Sequence, residues 1–143
     1  MSKKVFPSIY SYDRDNFNPP APVLEISLTV PNSLFSKNYI KSIALLDTGA
    51  DITVIPQWMV EQLQLKYVDE ILASGYDGLP KKTFVYSVKI IIDNLEDFVI
   101  RTIAIDKEYV IIGRNMLNKW SLYLKGRDNI FEISWYIIFN FFK

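Results

Sequence analysis

The chain has 143 residues, of which half are hydrophobic and 15% are aromatic, enough to bury one compact core. It has 16 basic and 16 acidic residues, so its charge gives no reason to expect nucleic acid or an anionic membrane surface as the main partner. It has no cysteine and no histidine, which excludes disulfides, Ser-His-Asp and Cys-His catalysis, and metal sites built from thiolates or imidazoles. Any hydrolytic chemistry must therefore run on carboxylates, lysine, tyrosine or hydroxyl groups.

The N-terminal residues 1–22 are rich in Tyr, Asn, Asp and Pro and end in Pro-Pro-Ala-Pro, a composition that disfavours both helices and strand pairing. They predict an extended arm, which is either a linker or a segment that enters a cleft and is cut. The first residues lack the continuous apolar stretch of a signal peptide, so we expect a cytoplasmic protein. Residues 23–143 are expected to form a single folded domain.

The first half of this domain begins with the most regular pattern in the chain. Apolar and polar residues alternate over residues 24–30, which predicts a strand with one buried and one wet face. A second strand is expected over Tyr39–Leu46 and a third over the short apolar run Ile52–Ile55. Pro56 then starts a brief helix over residues 57–63, since proline is tolerated in a first helical turn.

The second half of the domain is rich in β-branched and aromatic residues. Phe84–Ile92 and Phe98–Ile105 predict a hairpin. Val110–Ile112 predicts a short strand, followed by one or two helical turns that end by Trp120. Residues 130–143 are apolar but too short to span a bilayer, and they predict strand structure that needs a partner. The whole pattern indicates a mostly β fold with two short helices.

The segment best suited to chemistry is Asp47-Thr48-Gly49-Ala50-Asp51, which apolar residues flank on both sides. It places a carboxylate, a hydroxyl and a permissive glycine on one tight turn. Aspartate and glycine at a strand end often only make a turn, and a three-residue match alone is weak support for a function.

A second segment, Val110–Leu117, has the sequence Val-Ile-Ile-Gly-Arg-Asn-Met-Leu. The two segments, in this order and with a glycine-containing hairpin between them, resemble the retropepsins, the aspartic proteases of retroviruses and their cellular and bacterial relatives. The resemblance covers residues 23–133 and implies the acid protease fold, a closed β-barrel with one lobe per chain. It implies that Asp47 is catalytic, that Thr48, Gly49, Ala50 and Asp51 complete the active-site loop, and that Gly113, Arg114 and Asn115 support it.

The resemblance also implies roles for individual loop residues. The Thr48 hydroxyl is expected to bond across a two-fold axis to the partner loop, unless it only stabilises its own turn. Gly49 is expected to let the backbone approach the substrate. Asp51 has two candidate roles, pairing with Arg114 or accepting a hydrogen bond from the substrate main chain. We favour the pair, because arginine and carboxylate form a bidentate, orienting contact.

Gly75-Tyr76-Asp77-Gly78 lies where retropepsins place the flap, a hairpin that closes over the substrate and excludes water. A surface turn explains the two glycines equally well. Tyr76 and Asp77 make this tip bulkier than the Gly- and Ile-rich tip common in retroviral members.

Carboxylate chemistry predicts a homodimer. Peptide hydrolysis needs one group that takes a proton from water and another that gives one to the scissile carbonyl, but the chain has one Asp-Thr-Gly. A second copy must therefore supply its own Asp47 across a two-fold axis, and the two carboxylates then share one proton. Water is the nucleophile, and neither a metal nor another cofactor is expected. The predicted partners are a second copy and a polypeptide substrate.

The chain termini are expected to take part in this dimer, because terminal strands interleave in the family. Ile130–Ile133 is predicted to pair with its symmetry mate. Trp135–Phe142 extends past the usual end of the family, and it either enlarges the dimer interface or packs on its own subunit. We slightly favour the interface, since an exposed apolar strand edge promotes association.

Two other functions stay open. A dimer that has become a peptide-binding or assembly module would bind peptide yet be inert toward pepstatin, although such a module has no need for a costly buried carboxylate pair. A glycosidase could instead use Asp47 with Asp51 or Asp77 in one chain, and would be active as a monomer. No aromatic platform for a sugar is evident.

Overall fold

The computed structural model describes residues 2–5, 7–32, 38–74 and 78–139. The strands in these ranges are β1 (Ser2–Val5), β2 (Ser8–Ser11), β3 (Val23–Thr29), β4 (Ile40–Leu46), β5 (Thr53–Pro56), β6 (Tyr67–Ser74), β7 (Pro80–Ile91), β8 (Phe98–Ile105), β9 (Val110–Ile112), β10 (Ser121–Lys125), β11 (Ile130–Ser134) and β12 (Tyr136–Phe139). The helices are α1 (Gln57–Leu63) and α2 (Arg114–Leu117). The predicted mostly β class with two short helices is confirmed.

Seven strands form the main sheet, in the order β3-β4-β9-β5-β8-β7-β6. β4 with β9 and β5 with β8 are parallel pairs, whereas the other neighbours are antiparallel. β3 also pairs with β7, with Ser27 opposite Ile91 and Thr29 opposite Lys89, so the sheet closes on itself. This closure encloses the main apolar core.

The strands predicted over residues 24–30, 84–92 and 98–105 are present in the structure, and one side chain among them departs from its predicted burial. Leu24, Ile26 and Leu28 are buried along β3, as their alternation predicts, and β7 and β8 form the predicted hairpin. Thr29, expected on the wet face, is fully buried. The reason is that β7 covers this end of β3, and the Thr29 hydroxyl donates to the Asn38 carbonyl oxygen at 2.9 Å.

Helix α1 follows Pro56 directly, as predicted, because proline needs no amide hydrogen at a helix start. Met59, Val60 and Leu63 lie on its buried side and pack into the main core. The helix ends at Gln64, whose left-handed backbone (φ 53°) lets its N–H donate to the Glu61 carbonyl oxygen at 3.1 Å.

A separate three-stranded antiparallel sheet has the order β10-β11-β2. Its strand β2 belongs to the N-terminal segment, so residues 1–22 supply paired strands that their proline-rich composition did not predict. The Tyr10 ring of β2 stacks on Phe131 of β11 with the ring centroids 5.1 Å apart. Since β11 is bonded to β10 on one edge and to β2 on the other, the expectation that Ile130–Ile133 pairs with its symmetry mate is wrong.

The two ends of the chain meet in a further antiparallel pair, in which β1 lies beside β12 with Ser2 opposite Phe139. The start of the C-terminal tail thus pairs with the N-terminal segment of its own chain, and residues 140–142 lie outside the described residues. A role of this tail in a dimer interface stays a prediction. Within the ranges that the structure describes, no helix has the length and apolar character needed to cross a membrane.

Candidate active site

Asp47 is the first residue after β4 and stands at the start of a tight turn. Its N–H donates to the Ile112 carbonyl oxygen at 2.9 Å, which fixes the turn to the end of the neighbouring strand β9. The Gly49 N–H donates to Asp47 Oδ1 at 2.8 Å, and the Ala50 N–H donates to the Asp47 carbonyl oxygen at 3.2 Å. The half-buried carboxylate is therefore held by one oxygen, while Oδ2 makes no hydrogen bond to the part of the chain that is described.

Gly49 brings its backbone close to this carboxylate. A Cβ atom at Gly49 would lie 3.1 Å from Asp47 Oδ1, which is tighter than ordinary van der Waals contact. The glycine thus serves the geometry of the aspartate itself. Its predicted contact with a substrate stays a prediction.

Gly113 connects β9 to α2 and lies directly against the other side of the loop. A Cβ atom at this position would lie 2.6 Å from the Ile52 carbonyl carbon and 2.9 Å from the Ala50 carbonyl oxygen. The next residue, Arg114, donates its N–H to that same Ala50 oxygen at 2.8 Å. Only glycine allows α2 to approach the loop this closely.

The Arg114 side chain holds the loop at two points. Its Nη1 donates to the Thr48 carbonyl oxygen at 2.6 Å, and its Nη2 donates to Asp51 Oδ1. The expected pair of Asp51 and Arg114 is therefore present. Because the Asp51 side chain is 85% exposed, water screens the pair, which orients the loop more than it stabilises the fold. A contact of Asp51 with substrate stays a prediction.

Asn115 supports the loop through a residue that the sequence interpretation missed. Thr53 is fully buried, and both its N–H and its hydroxyl donate to Asn115 Oδ1, at 2.9 and 2.8 Å. The Thr53 hydroxyl oxygen in turn accepts the Gly113 N–H at 3.1 Å, and Asn115 Nδ2 donates to the Arg101 carbonyl oxygen at 2.8 Å. The one signal in the sequence was that Thr53 is the only polar residue in the apolar run Ile52–Ile55.

A small apolar cluster, separate from the main core, joins the loop to the β6–β7 hairpin. Its buried members are Val54, Val85 and Ile103. Partly buried side chains from the loop, the hairpin and strands β8 and β9 pack against them, namely Ile52, Ile71, Ala73, Ile105 and Ile111. We call these eight residues the apolar wall.

The β6–β7 hairpin is the element predicted to be the flap. Ser74 lies opposite Pro80 near its tip, and Gly78 has a left-handed backbone (φ 71°), a conformation that glycine adopts freely. Residues 75–77 of the predicted flap tip lie outside the described residues, so its closing function stays a prediction. At the base of the hairpin, Arg101 Nη1 donates to Asp69 Oδ2 at 3.1 Å and ties β6 to β8.

The structure thus brings most of the predicted site residues together around one turn. The loop residues 47–51 and the supporting residues 113–115 contact one another, whereas Gly78 lies on the hairpin and is part of neither group. In the described ranges, no group of three or more acidic, cysteine or histidine side chains is arranged to hold a metal ion.

A family model described as retroviral aspartyl protease matches residues 19–125, which include both the loop and the segment around Gly113. The chain belongs to the retroviral aspartyl protease family. The resemblance inferred from the two sequence segments is therefore confirmed. The comparison with curated proteins finds no match.

Solved structures of retropepsins share the fold of this family member. A retropepsin-like aspartic protease from Rickettsia conorii matches with a TM-score of 0.63 at 16% sequence identity, over 96% of this chain and 98% of that one. The EIAV protease complexed with the inhibitor HBY-793 matches with a TM-score of 0.52 at 21% identity, over 76% of this chain and 92% of that one. The predicted retropepsin-like fold is thus confirmed.

Proposed function

We propose that this member of the retroviral aspartyl protease family is an aspartic endopeptidase whose active site is completed by a second copy of the chain. The observation that carries the proposal is the geometry of Asp47: its Oδ1 accepts a hydrogen bond from the Gly49 N–H, while its Oδ2 is available to exchange a proton with water or substrate. β9 and Arg114 hold the loop from both sides. A partly exposed carboxylate on a fixed loop is what preorganised proton transfer requires.

In the proposed mechanism the two Asp47 carboxyl groups face each other across a two-fold axis. The ionised group accepts a proton from a water molecule, whose oxygen attacks the carbonyl carbon of the scissile peptide. The protonated group donates its proton to the carbonyl oxygen, which gives a tetrahedral intermediate. The intermediate collapses with cleavage of the C–N bond: the amine nitrogen takes the proton that the carboxyl pair holds, and a hydroxyl group of the intermediate returns its proton to the pair as the product carboxylic acid forms. The pair again shares one proton at the end of the cycle.

The environment of the loop supports a dimeric enzyme that acts on polypeptides. Thr48 is exposed, and its hydroxyl makes no hydrogen bond to the part of its own chain that is described, so it is available to a partner loop. The apolar wall offers partly exposed aliphatic surface beside the loop, which fits apolar side chains of an extended peptide. We propose unstructured polypeptide as the substrate class.

A single-chain glycosidase gains no support from the site. Asp51, which would serve as the second carboxylate, is bound to Arg114. The other candidate, Asp77, lies outside the described residues. No observation favours this second function.

The first test replaces the carboxylate without changing its shape. Asp47→Asn should abolish cleavage of an unstructured polypeptide between about pH 3 and 7, the span in which carboxylate pairs share a proton. Asp15→Asn, at an exposed aspartate of the N-terminal segment, is the matched control and should keep full activity. Both variants should remain folded by circular dichroism. Cleavage by purified Asp47→Asn protein at the wild-type rate would refute the proposal.

A second test counts the aspartates in one reaction centre. If two subunits share a centre and exchange freely, mixing equal amounts of wild-type and Asp47→Asn chains leaves about one quarter of the dimers with both aspartates. Activity per total chain should then fall to about one quarter of the wild-type value. A fall to only about one half would mean that each chain acts alone.

A further inference from the structure

The ion pair of Asp69 and Arg101 joins two strands that are not neighbours in the main sheet. Asp69 lies on β6 and Arg101 on β8, and β7 runs between them. Arg101 lies opposite Ser87 of β7, whereas Asp69 lies opposite Val85, two positions earlier on the same strand. The two side chains therefore meet diagonally across β7, where the small Ser87 side chain leaves room for the guanidinium.

A β-bulge turns Asp69 toward this face of the sheet. Tyr67 lies opposite Tyr86 and Asp69 lies opposite Val85, so β6 has one residue more than β7 at this point, namely Val68. In a regular ladder Asp69 would point to the other face of the sheet. After the bulge it shares the face of Val85, a member of the apolar wall. The bulge thus places a charge beside the apolar wall.

Both partners of the pair are oriented by further hydrogen bonds. Asp69 Oδ1 accepts the Glu70 N–H at 2.8 Å, and its Oδ2 accepts the bond from Arg101. On β8, the Arg101 carbonyl oxygen accepts a bond from Asn115 Nδ2 at 2.8 Å. The same Asn115 side chain supports the active-site loop through Thr53. The pair therefore connects the β6–β7 hairpin to the strand that also bears on the loop support.

Strand β6 has few other contacts that fix its position. None of its side chains is fully buried, and only Ile71 and Ala73 pack against the apolar wall. Its outer edge has no strand partner in the part of the chain that is described. Because little apolar surface is buried by this strand, a single ion pair can change how often it lies in place.

We propose that Asp69 and Arg101 are positioning residues for substrate binding, because their ion pair holds the β6–β7 hairpin in the place where it receives a polypeptide. This inference rests on the proposed function, which makes a polypeptide the substrate. Neither residue belongs to the loop that carries Asp47. Loss of the pair should therefore raise KM and leave kcat unchanged, since it lowers the fraction of protein that is ready to bind.

The exposure of the pair sets the size and the salt dependence of this effect. The side chains of Asp69 and Arg101 are 47% and 62% exposed, so water and salt screen the pair. Asp69→Asn keeps the shape of the side chain and removes its charge. It should raise KM for an unstructured polypeptide about twofold to fivefold at low salt, the range by which exposed ion pairs shift an equilibrium. The ratio of the variant KM to the wild-type KM should approach one at about 1 M salt, where the Debye length is only about 3 Å.

Asp97→Asn is the matched control. Asp97 is 46% exposed, and its Oδ2 lies 3.9 Å from Lys89 Nζ, so this variant also removes one carboxylate from an exposed ion pair. That pair lies at the turn between β7 and β8 and does not involve β6. Asp97→Asn should have the wild-type KM at every salt concentration.

A double-mutant cycle shows whether the two residues act through each other. Arg101→Gln keeps the carbonyl oxygen that Asn115 binds and removes the guanidinium. It should raise KM by about the same factor as Asp69→Asn, and the double variant should raise it no further, because both changes remove one interaction. If the two factors multiply in the double variant, the residues act independently and the proposal is overturned.

Amide hydrogen exchange measures the hairpin without any substrate. In Asp69→Asn, the β6 amides beyond Glu70 should exchange about twofold to fivefold faster at low salt than in wild type, once corrected for the change of side chain. The amides of β4 should be unaffected, and Asp97→Asn should match wild type throughout. Unchanged exchange in β6, an unchanged KM, or a fall in kcat alone would each overturn the role of the pair while leaving the proposed function intact. Activity that survives in Asp47→Asn would instead refute the proposed function, and the exchange measurement would still decide whether the pair holds the hairpin.

Discussion

The carbonyl oxygen of Thr48 accepts a hydrogen bond from Arg114 Nη1 at 2.6 Å, although the two residues are 66 positions apart in the chain. The same guanidinium reaches Asp51, so one side chain spans the loop that carries Asp47. The two segments that identify the family in the sequence are thus a single physical unit. One presents the carboxylate, and the other holds it in place.

Replacing Arg114 by lysine tests this unit. Lysine keeps the positive charge but is a point donor, so it cannot hold Thr48 and Asp51 together in the planar geometry of a guanidinium. Arg114→Lys should lower kcat on a polypeptide by roughly tenfold to a hundredfold, since small displacements of catalytic groups have effects of this size. Stability in urea should fall by only about 1 kcal/mol, because the contacts are partly exposed.

The matched control for this variant is Arg127→Lys, at an exposed arginine in the short 3₁₀ turn between β10 and β11. It should change neither kcat nor the urea midpoint. Equal activities of Arg114→Lys and wild type would show that the guanidinium does not position the loop.

Gly113→Ala tests the close contact between α2 and the loop. The new methyl group would lie 2.6 Å from the Ile52 carbonyl carbon, and the atoms it meets are backbone, which cannot turn away. The expected cost is at least about 1–3 kcal/mol of unfolding free energy, together with loss of activity as the loop is pushed out of position.

Gly126→Ala is the control for this steric argument. A Cβ atom at Gly126 meets nothing closer than the Tyr12 hydroxyl at 3.6 Å, an ordinary contact. Its unfolding free energy should stay within about 0.5 kcal/mol of the wild-type value. If the two glycine variants unfold at the same denaturant concentration, close packing is not the reason why position 113 is occupied by glycine.

Local patterns were enough to predict much of this fold. The alternation along β3, the β7–β8 hairpin and the proline at the start of α1 each depend on residues close together in the chain. The roles of the loop residues and of Arg114 came from the resemblance of two short segments to the retropepsins, and each segment can be recognised from neighbouring residues alone. These features need no knowledge of distant contacts.

Strand partners were the part that local patterns could not predict. The alternation of apolar and polar residues in β11 predicts which face of the strand is buried. It does not predict which strand lies beside β11, so its own β2 and a symmetry mate fit the pattern equally well. Thr53 was missed for a similar reason. Its hydrogen bonds to Asn115 and Gly113 join residues 60 or more positions apart, and no residue near Thr53 in the sequence indicates these bonds.

Asn115→Ala should measure how much the hydrogen bonds between Thr53 and Asn115 contribute to the free energy of unfolding. The substitution removes the acceptor of the Thr53 N–H and hydroxyl, and both groups are fully buried. Leaving a buried donor unpaired costs about 1–3 kcal/mol, so the unfolding free energy should fall by at least that amount. Asn118→Ala, at an exposed turn residue after α2, should cost far less. Similar urea midpoints for the two variants would mean that water replaces the lost amide.

Asn16→Ala should change the titration of Asp13, which shapes the turn after β2. The pKa of Asp13 is lowered from its ordinary value, first by the hydrogen bond from the Asn16 side chain and then by backbone N–H groups. Since the folded pKa lies below the unfolded one, this turn adds stability above the unfolded pKa and loses it as the pH falls through the folded pKa.

The carboxyl resonance of Asp13 in an NMR pH titration is the direct measurement. In Asn16→Ala its midpoint should move up toward the ordinary value, because the largest cause of the lowered pKa is gone while the backbone bonds remain. In Asn118→Ala, which removes no partner of Asp13, the midpoint should not move. An unchanged midpoint in Asn16→Ala would assign the lowered pKa to the backbone N–H groups alone, and the acid sensitivity of the turn would then be a property of its fold and not of the Asn16 side chain.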